Sequence, residues 1–293
     1  MSRVTIAIPT FNRPALLTRA LASVAAQTFC DYDVVVVNDG GEWPVGYAPS
    51  IGGHSFRVLH RCRSGPAAAR NAALSISDSE YVAYLDDDDE WQPDHLESLL
   101  ALLTDSHKHG VAFGVADVVD NGTHVRRWGD YRFDKFILDG FYTVFPLSAC
   151  LHRRDILPRS GMFDEHPLLI GPEDCEFMIR VSDHVVPTGS RRVTVRMHRD
   201  HSMTREPREK WVDVLSYVIG KNGYGVTRSN WLMYYRALAA AVDEGRDDLA
   251  ARWAEQLDRE LPSTVRRSAL TILGDIELHP GGIKAFCRRA LEG

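Results

Sequence analysis

Val34-Val35-Val36-Val37-Asn38-Asp39-Gly40-Gly41 is a run of four valines that ends in a polar turn. A strand that is apolar without alternation is buried on both faces, as in a parallel sheet covered by helices. Upstream, Val4 to Pro9 reads as another β-branched strand. Pro14 then stands at the first position of a helix, whose Leu17, Leu21 and Val24 share one face. Downstream, Phe56 to Leu59 predicts a strand, Pro66 to Ser77 an Ala-rich helix, and Tyr81 to Leu85 a strand that ends abruptly in charge. Pro93 to Leu103 follows as a helix with Leu96, Leu99, Leu100 and Leu103 in one stripe, and Val111 to Val119 as a fifth strand. This alternation predicts an α/β fold with a mostly parallel sheet flanked by helices. Ligands of such sheets bind beyond the carboxyl ends of the strands. Asn38-Asp39 and Asp86 to Asp89 both sit there.

The chain has 293 residues, enough for one large domain or two modest ones with a sizeable core. Its 44% hydrophobic and 25% charged residues are those of a globular protein, which argues against wholesale disorder. A net charge of −6 argues against a nucleic-acid partner, since such proteins carry a basic excess. No apolar run approaches the roughly 20 residues that cross a bilayer, and Met1 to Pro9 does not read as a secretion signal. Five scattered cysteines without a C-x-x-C pair predict idle thiols in a reducing cytoplasm rather than a disulfide framework or a thiolate zinc site. Residues 121–205 are less regular and rich in Gly, Pro and aromatics. From about Glu206 the pattern is helical: Trp211 to Ile219, Trp231 to Glu244, Asp247 to Glu260, Ser263 to Leu273 and Ile283 to Leu291, separated by Gly and Pro breakers.

Asp86-Asp87-Asp88-Asp89-Glu90 concentrates like charge where a strand leaves the core. Ionising all of them is costly unless a cation is present. Mg²⁺ or Mn²⁺ on one or two of these carboxylates, with phosphate oxygens completing the shell, is the hard-ligand solution. If the segment stays extended, Asp86 and Asp88 point one way and Asp87 and Asp89 the other. The bland alternative is a solvated acidic turn. Neither G-x-x-x-x-G-K-S/T nor G-x-G-x-x-G occurs, so a glycine-amide phosphate cradle is not evident.

Several segments together resemble one family. Ile8-Pro9-Thr10-Phe11-Asn12-Arg13, Gln27-Thr28-Phe29, Val37-Asn38-Asp39-Gly40 and Gly65-Pro66-Ala67-Ala68-Ala69-Arg70-Asn71 look like the nucleotide-sugar half of family 2 glycosyltransferases. Leu85 to Pro93 looks like that family's aspartate motif. Gly161-Met162-Phe163-Asp164-Glu165 and Glu173 to Arg180 look like its acceptor-side motifs. The resemblance covers about residues 3–204 and is specific through the order and spacing of its parts. It implies a GT-A-like fold, to which the helical pattern after Glu206 adds a helical C-terminal extension. Residues 1–205 would form the catalytic domain, with a nucleotide-sugar half (1–120) and an acceptor half (121–205), and 206–293 a helical C-terminal region.

The resemblance also implies roles. Asp39 would bind the nucleotide base in a pocket lined by Pro9 and Thr10, with Asn12 in the same binding segment; the alternative for Asp39 is the start of a tight Asp-Gly turn. Arg70 would face the nucleotide or its phosphates, or be a surface charge. Asp86 would contact ribose or donor sugar, with Asp87 also on the nucleotide-sugar side, and Asp88 and Asp86 would hold the metal, with Asp87 or Asp89 able to contribute. Asp174 would be the general base of an inverting displacement, with Glu173 the fallback. The alternative for both is an acidic first turn that suits the helix dipole. Asp164, with Glu173, would lie on the acceptor side. His198 is a candidate metal or diphosphate ligand, and Arg191, Arg192, Arg196, Arg199 and Arg205 a cationic lid or a solvated face. The aromatics between Trp128 and Tyr142 suit either sugar rings or core packing.

The expected activity is metal-dependent transfer of a sugar from a nucleotide-diphosphate donor, UDP- or dTDP-type, to a saccharide or other hydroxyl acceptor, lipid-linked in one version. The expected setting is the cytoplasm, or the inner face of the membrane. Two alternatives stand beside it: a sugar nucleotidyltransferase, disfavoured because Pro9 to Pro14 holds no glycine, and a non-catalytic nucleotide-sugar-binding protein. The C-terminal helices could form a homo-oligomer, dock a partner or lie on a membrane.

Overall fold

The computed structural model describes residues 2–43, 54–104, 109–128, 146–199 and 210–222, and from the remainder 225, 234, 237–238, 240–242 and 244–260. The chain divides into two compact units, residues 1–138 with 144–204, and residues 139–143 with 205–293.

The first unit is built on one sheet. β1 (Val4–Thr10), β2 (Tyr32–Asp39), β3 (Ser55–Arg61) and β4 (Tyr81–Tyr84) are parallel, in the order β3-β2-β1-β4. Val34 to Val37 are all fully buried, because α1 (Pro14–Ala25) and α2 (Pro66–Ser75) provide cover and neighbouring strands fill both edges. Each such side chain contributes roughly 1.5–3 kcal/mol on burial. α1 turns Leu17, Ala20, Leu21 and Val24 inward, and α3 (His95–Thr104) turns Leu96, Leu99, Leu100 and Leu103 inward.

Beyond β4 the sheet becomes mixed. β8 (Cys150–Arg153) runs antiparallel between β4 and β6 (His109–Asp120), and β7 (Thr123–Trp128) is a hairpin partner of β6. β9 (Val186–His198) returns parallel to β6, with register slips, and ends against the two-residue β5 (Glu90–Trp91). The last third of the first unit thus brings β9 back onto the acidic segment.

Register explains why the site forms. β4 pairs with β1 only up to Ala7↔Tyr84, and the Leu85 N–H donates to the Ala7 carbonyl at 3.1 Å. The acid loop is therefore laid alongside Ile8 to Thr10. On the other side Asp39 pairs with Arg61, so the chain after β3 curls back toward Asp39. Gly40 makes this possible: its φ is +84°, and a β-carbon there would overlap the Arg63 backbone. Gly40→Ala is expected to lower stability by about 1–3 kcal/mol in urea unfolding, through left-handed strain plus displacement of the Arg63 loop. An unchanged midpoint would show that the turn tolerates a side chain.

In the second unit Lys210–Asn222 and Asp247–Glu260 are helices, with residues 234, 237–238 and 240–242 also helical. Val212, Leu215, Val218, Trp253 and Leu257 are buried. The Ser263 to Leu273 and Ile283 to Leu291 helices expected from the sequence, and the aromatic stretch after Trp128, lie outside the described residues. Among the described residues no helix is long and apolar enough to cross a membrane. Among the described residues, Cys30, Cys62, Cys150 and Cys175 form no disulfide.

Candidate active site

A cleft of about 610 Å³ opens at the carboxyl ends of β1, β2 and β4. Pro9, Thr10, Asp39, Arg70, Asp86, Asp87, Asp88, Glu173 and Asp174 all line it, joined by Phe11, Arg13, Arg63, Ser64, Gly65, Ile170 and Gly171. Residues 103 positions apart, Arg70 and Glu173, meet there.

The acid segment is a turn rather than an extended strand. The Asp89 N–H donates to the Asp86 carbonyl at 3.1 Å, which breaks the two-sided alternation an extended chain would have. Asp89 therefore joins Asp86 and Asp88: one carboxyl oxygen from each lies within 4.8 Å of the others. Asp87 turns the other way, accepting from the Thr10 hydroxyl at 2.7 Å and from Arg13 at 3.0 Å. Arg13 also reaches Asp88, at 3.0 Å. Burial first, then Asp86 and Asp87, pushes Asp88 up to about 7. Burial, with Asp86 and Asp88, pushes Asp89 well above the carboxylate range, although Ser148 and the His198 backbone N–H donate to it. Three crowded hard oxygen donors, of which Asp88 and Asp89 are pushed up by burial and by neighbouring carboxylates, fit a small divalent cation, which would relieve that repulsion. The cleft lining has six carboxyls against three arginines, so a diphosphate would find too little positive charge without one.

Asp39 is a brace as well as a lining residue. Its two carboxylate oxygens accept the Ser64 and Gly65 N–H groups at 2.9 and 2.8 Å, which fixes the loop entering α2. Phe11 lies under the Arg63 guanidinium, 4.2 Å from the ring centre. Asn12 does not line the cleft; at φ +56° it accepts the Glu42 N–H at 2.7 Å and closes the turn after β1.

Arg70, 4% exposed, is not a surface charge. It donates to Asp86 and to Glu173, each at 2.7 Å, while its Nε has no partner among the described residues. Burial alone would lower its proton affinity, but the two carboxylates outweigh this and raise it. Glu173 is committed: one oxygen takes Arg70 and the other the Gly171 N–H at 2.6 Å. Asp174 is in a different position. Its Oδ1 accepts the Cys175 N–H at 2.6 Å, and among the described residues no side-chain cation or hydroxyl binds it. Burial, then Glu173, pushes it up to about 6 against the opposing pull of Arg70. It is a carboxylate poised to take a proton near neutrality.

Asp164 accepts the His166 N–H at 2.9 Å within its own turn and does not line the cleft. His198 Nε2 lies 2.7 Å from Glu90, which also pairs with Arg19 at 3.3 Å, so its ring braces the far side of the acid loop. Arg192 pairs with Asp94, Arg191, Arg196 and Arg199 are absent from the cleft lining, and Arg205 lies outside the described residues. Arg13, Phe11, Arg63 and Ser64 received no role from the sequence. The signal for Arg13 was charge balance, since four adjacent aspartates call for cations; nothing local marked the others.

Comparison with known proteins agrees with this geometry. The model of glycosyl transferase family 2 matches residues 5–158, more than half of the chain. The succinoglycan biosynthesis protein ExoW of Rhizobium meliloti is 35% identical over 147 residues, 43% of this chain and 46% of that protein, so the chain matches about half of this relative. Among solved structures, S. aureus TarS 1–349 in complex with UDP superposes with a TM-score of 0.63 at 17% identity, covering 99% of this chain and 88% of that one. Mannosyltransferase PcManGT from Pyrobaculum calidifontis, in complex with GDP-Man and Mn²⁺, gives 0.62 at 18% identity over 99% and 86%. These likenesses show a fold of the GT-A type. With the family model reaching from β1 to β8 and taking in the loops that carry Asp39, Ser64 and Asp86 to Asp88, the chain belongs to glycosyl transferase family 2.

Proposed function

We propose that the chain transfers a sugar, with inversion, from a nucleotide-diphosphate sugar to a hydroxyl acceptor in polysaccharide or glycoconjugate synthesis. The observation that carries this reading is the contrast within one cleft between Asp86, Asp87, Asp88 and Glu173, each hydrogen-bonded by an arginine, and Asp174, which among the described residues no arginine hydrogen-bonds. Asp174 takes the proton of the acceptor hydroxyl as that oxygen attacks the anomeric carbon. The bond from that carbon to the diphosphate breaks, and its electron pair leaves with the nucleotide. One base suffices, because no sugar–enzyme intermediate forms. Asp39, Ser64 and Gly65 shape the nucleotide end with Pro9 and Thr10, and Arg63 and Arg13 supply positive charge. Mg²⁺ or Mn²⁺, held by Asp86, Asp88 and Asp89, would neutralise the diphosphate as it departs. UDP and dTDP donors are favoured, consistent with the UDP bound by TarS, although PcManGT holds GDP-Man with Mn²⁺. The relative named for succinoglycan biosynthesis supports a saccharide acceptor. The reaction is assigned to the cytoplasm, at the membrane's inner face when the acceptor is lipid-linked.

A thermal-shift panel of UDP, dTDP and GDP with and without Mn²⁺ tests this. A cognate pair at a hundred times its Kd should add about 2.7 kcal/mol, with nucleotide and metal each required for the full rise. The sign with pH is fixed by Asp88. Its folded-state value is raised to about 7, so the stability it contributes is present below the unfolded value near 4 and lost as pH rises through 7. Mn²⁺ should restore that loss, making its effect larger at pH 8 than at pH 6, and Asp88→Asn should remove the difference. No shift with any nucleotide–metal pair would refute the donor reading.

A further inference from the structure

The helix Glu173–Ser182, which carries Asp174, is tied down along one face. Glu173, Glu176, Phe177 and Arg180 recur at i, i+3, i+4 and i+7, so they share that face. Glu173 is held by Arg70. Phe177 stacks on Phe163 with ring centres 4.1 Å apart, and Phe163 is itself clamped to α2 by Asn71, which donates to its carbonyl and accepts its N–H, both at 2.9 Å. Arg180 binds Glu176 and the carbonyls of Ser160 and Met162. With this face fixed, Asp174 is rotated one residue, about 100°, from Glu173 and lines the cleft. Arg70 and Asn71 are neighbours on α2, the helix that begins at the loop held by Asp39. Arg70 also holds Asp86. One planar guanidinium therefore spans from a donor-side carboxylate to the residue beside the base.

We propose that Arg70 and Glu173 form a positioning pair, in which the two-armed Arg70 bridge to Asp86 and Glu173 holds Asp174 in register with the donor-side acid loop. This rests on the sugar-transfer reading and adds a division of labour to it: Asp174 touches the acceptor, while Glu173 and Arg70 act through it. The bridge needs a fork. Lysine keeps the charge but, as a single point donor, cannot hold both carboxylates in a fixed plane. The pair also sets the charge that Asp174 experiences. Glu173 from its own helix and Asp86 from the loop after β4 resist its ionisation, and Arg70 from α2 and the Cys175 N–H favour it.

The test uses the full chain and two readouts. Carboxyl carbon NMR of the metal-free protein follows the resonance lost in Asp174→Asn, and steady-state kinetics follow transfer from the donor identified by thermal shift. Glu173→Gln is expected to lower the Asp174 midpoint by roughly one pH unit and to leave transfer measurable. Arg70→Lys is expected to lower kcat about 10- to 100-fold with donor KM nearly unchanged, the signature of a misaimed base. Three results would overturn the pair: an Asp174 midpoint the same in Glu173→Gln as in the wild type, wild-type kcat in Arg70→Lys, or loss of all transfer in Glu173→Gln while Asp174→Asn stays active. The NMR readout separates this inference from the reading beneath it. A wild-type protein without transfer whose Asp174 midpoint still moves in Glu173→Gln supports the pair and refutes the activity; transfer without that movement refutes the pair alone.

Discussion

Asp174→Asn is expected to lower the rate of sugar transfer by about 10²–10⁴-fold, the usual contribution of a positioned base, while leaving nucleotide binding intact. The substitution removes a proton acceptor without removing volume, and the Asn side-chain oxygen can still accept the Cys175 N–H that Asp174 accepts now. The wild-type profile supplies the second half of the prediction. Because burial and Glu173 raise Asp174 to about 6, kcat/KM should fall below pH 6 and level off above it. Stability should move the opposite way. A carboxyl whose folded value is raised contributes most below its unfolded value near 4 and least above 6. The Asn variant, fixed in the neutral form, should therefore be at least as stable as the wild type at pH 8, with the difference closing as the pH falls toward 4. Titration calorimetry with UDP and Mn²⁺, a pH–rate profile and thermal melts check the three parts. Wild-type turnover in the variant would exclude Asp174 as the base.

The first four strands were legible because each is a short, mainly apolar or β-branched run with punctuation at its ends. The valine run could be read as doubly buried since nothing polar interrupts it, and Pro14 and Pro66 mark the helix starts. In the mixed half, β6 was legible as the Val111 to Val119 run, but the strands that pair with it were not. β8 is four residues long and follows β7 by more than twenty positions, yet it inserts between β4 and β6. Its placement depends on non-local pairing, Tyr81 with Arg153 and Val111 with His152, which no local periodicity encodes.

The site divides along the same line. Acids at strand ends could be found from position, but their partners could not. An extended chain would have put Asp87 and Asp89 on one side. The i to i+3 hydrogen bond of the turn separates them, sending Asp87 to Thr10 and Asp89 toward Ser148 and the His198 backbone. Arg70 could be read either as a ligand contact or as a surface charge, because an Ala-rich helix gives no hint of a carboxylate 103 positions away. Its burial follows from the small side chains around it. Ala67, Ala68, Ala69 and Ala73 let α2 approach the sheet closely, and this draws the guanidinium inside.

That burial makes Arg70→Met the substitution with the largest expected cost to stability. Removing one partner from a buried ion pair leaves the other charge uncompensated, typically at 3–5 kcal/mol, a large fraction of the roughly 5–15 kcal/mol that holds a domain folded. Asp86 can turn toward solvent, its side chain being 39% exposed, whereas Glu173 at 6% cannot. The penalty should therefore fall on Glu173, which leads to a further outcome. Arg70→Met/Glu173→Gln should recover part of the loss, since the remaining amide carries no charge and can still accept the Gly171 N–H. Urea unfolding of the wild type, the single and the double variant measures it. If lost packing against Phe163, whose ring lies 5.5 Å below the guanidinium, were the main cost, the double variant would be no more stable than the single one. Recovery in the double variant would instead assign the cost to charge, and identify Arg70 as the cation that allows a second carboxylate to be buried beside Asp174.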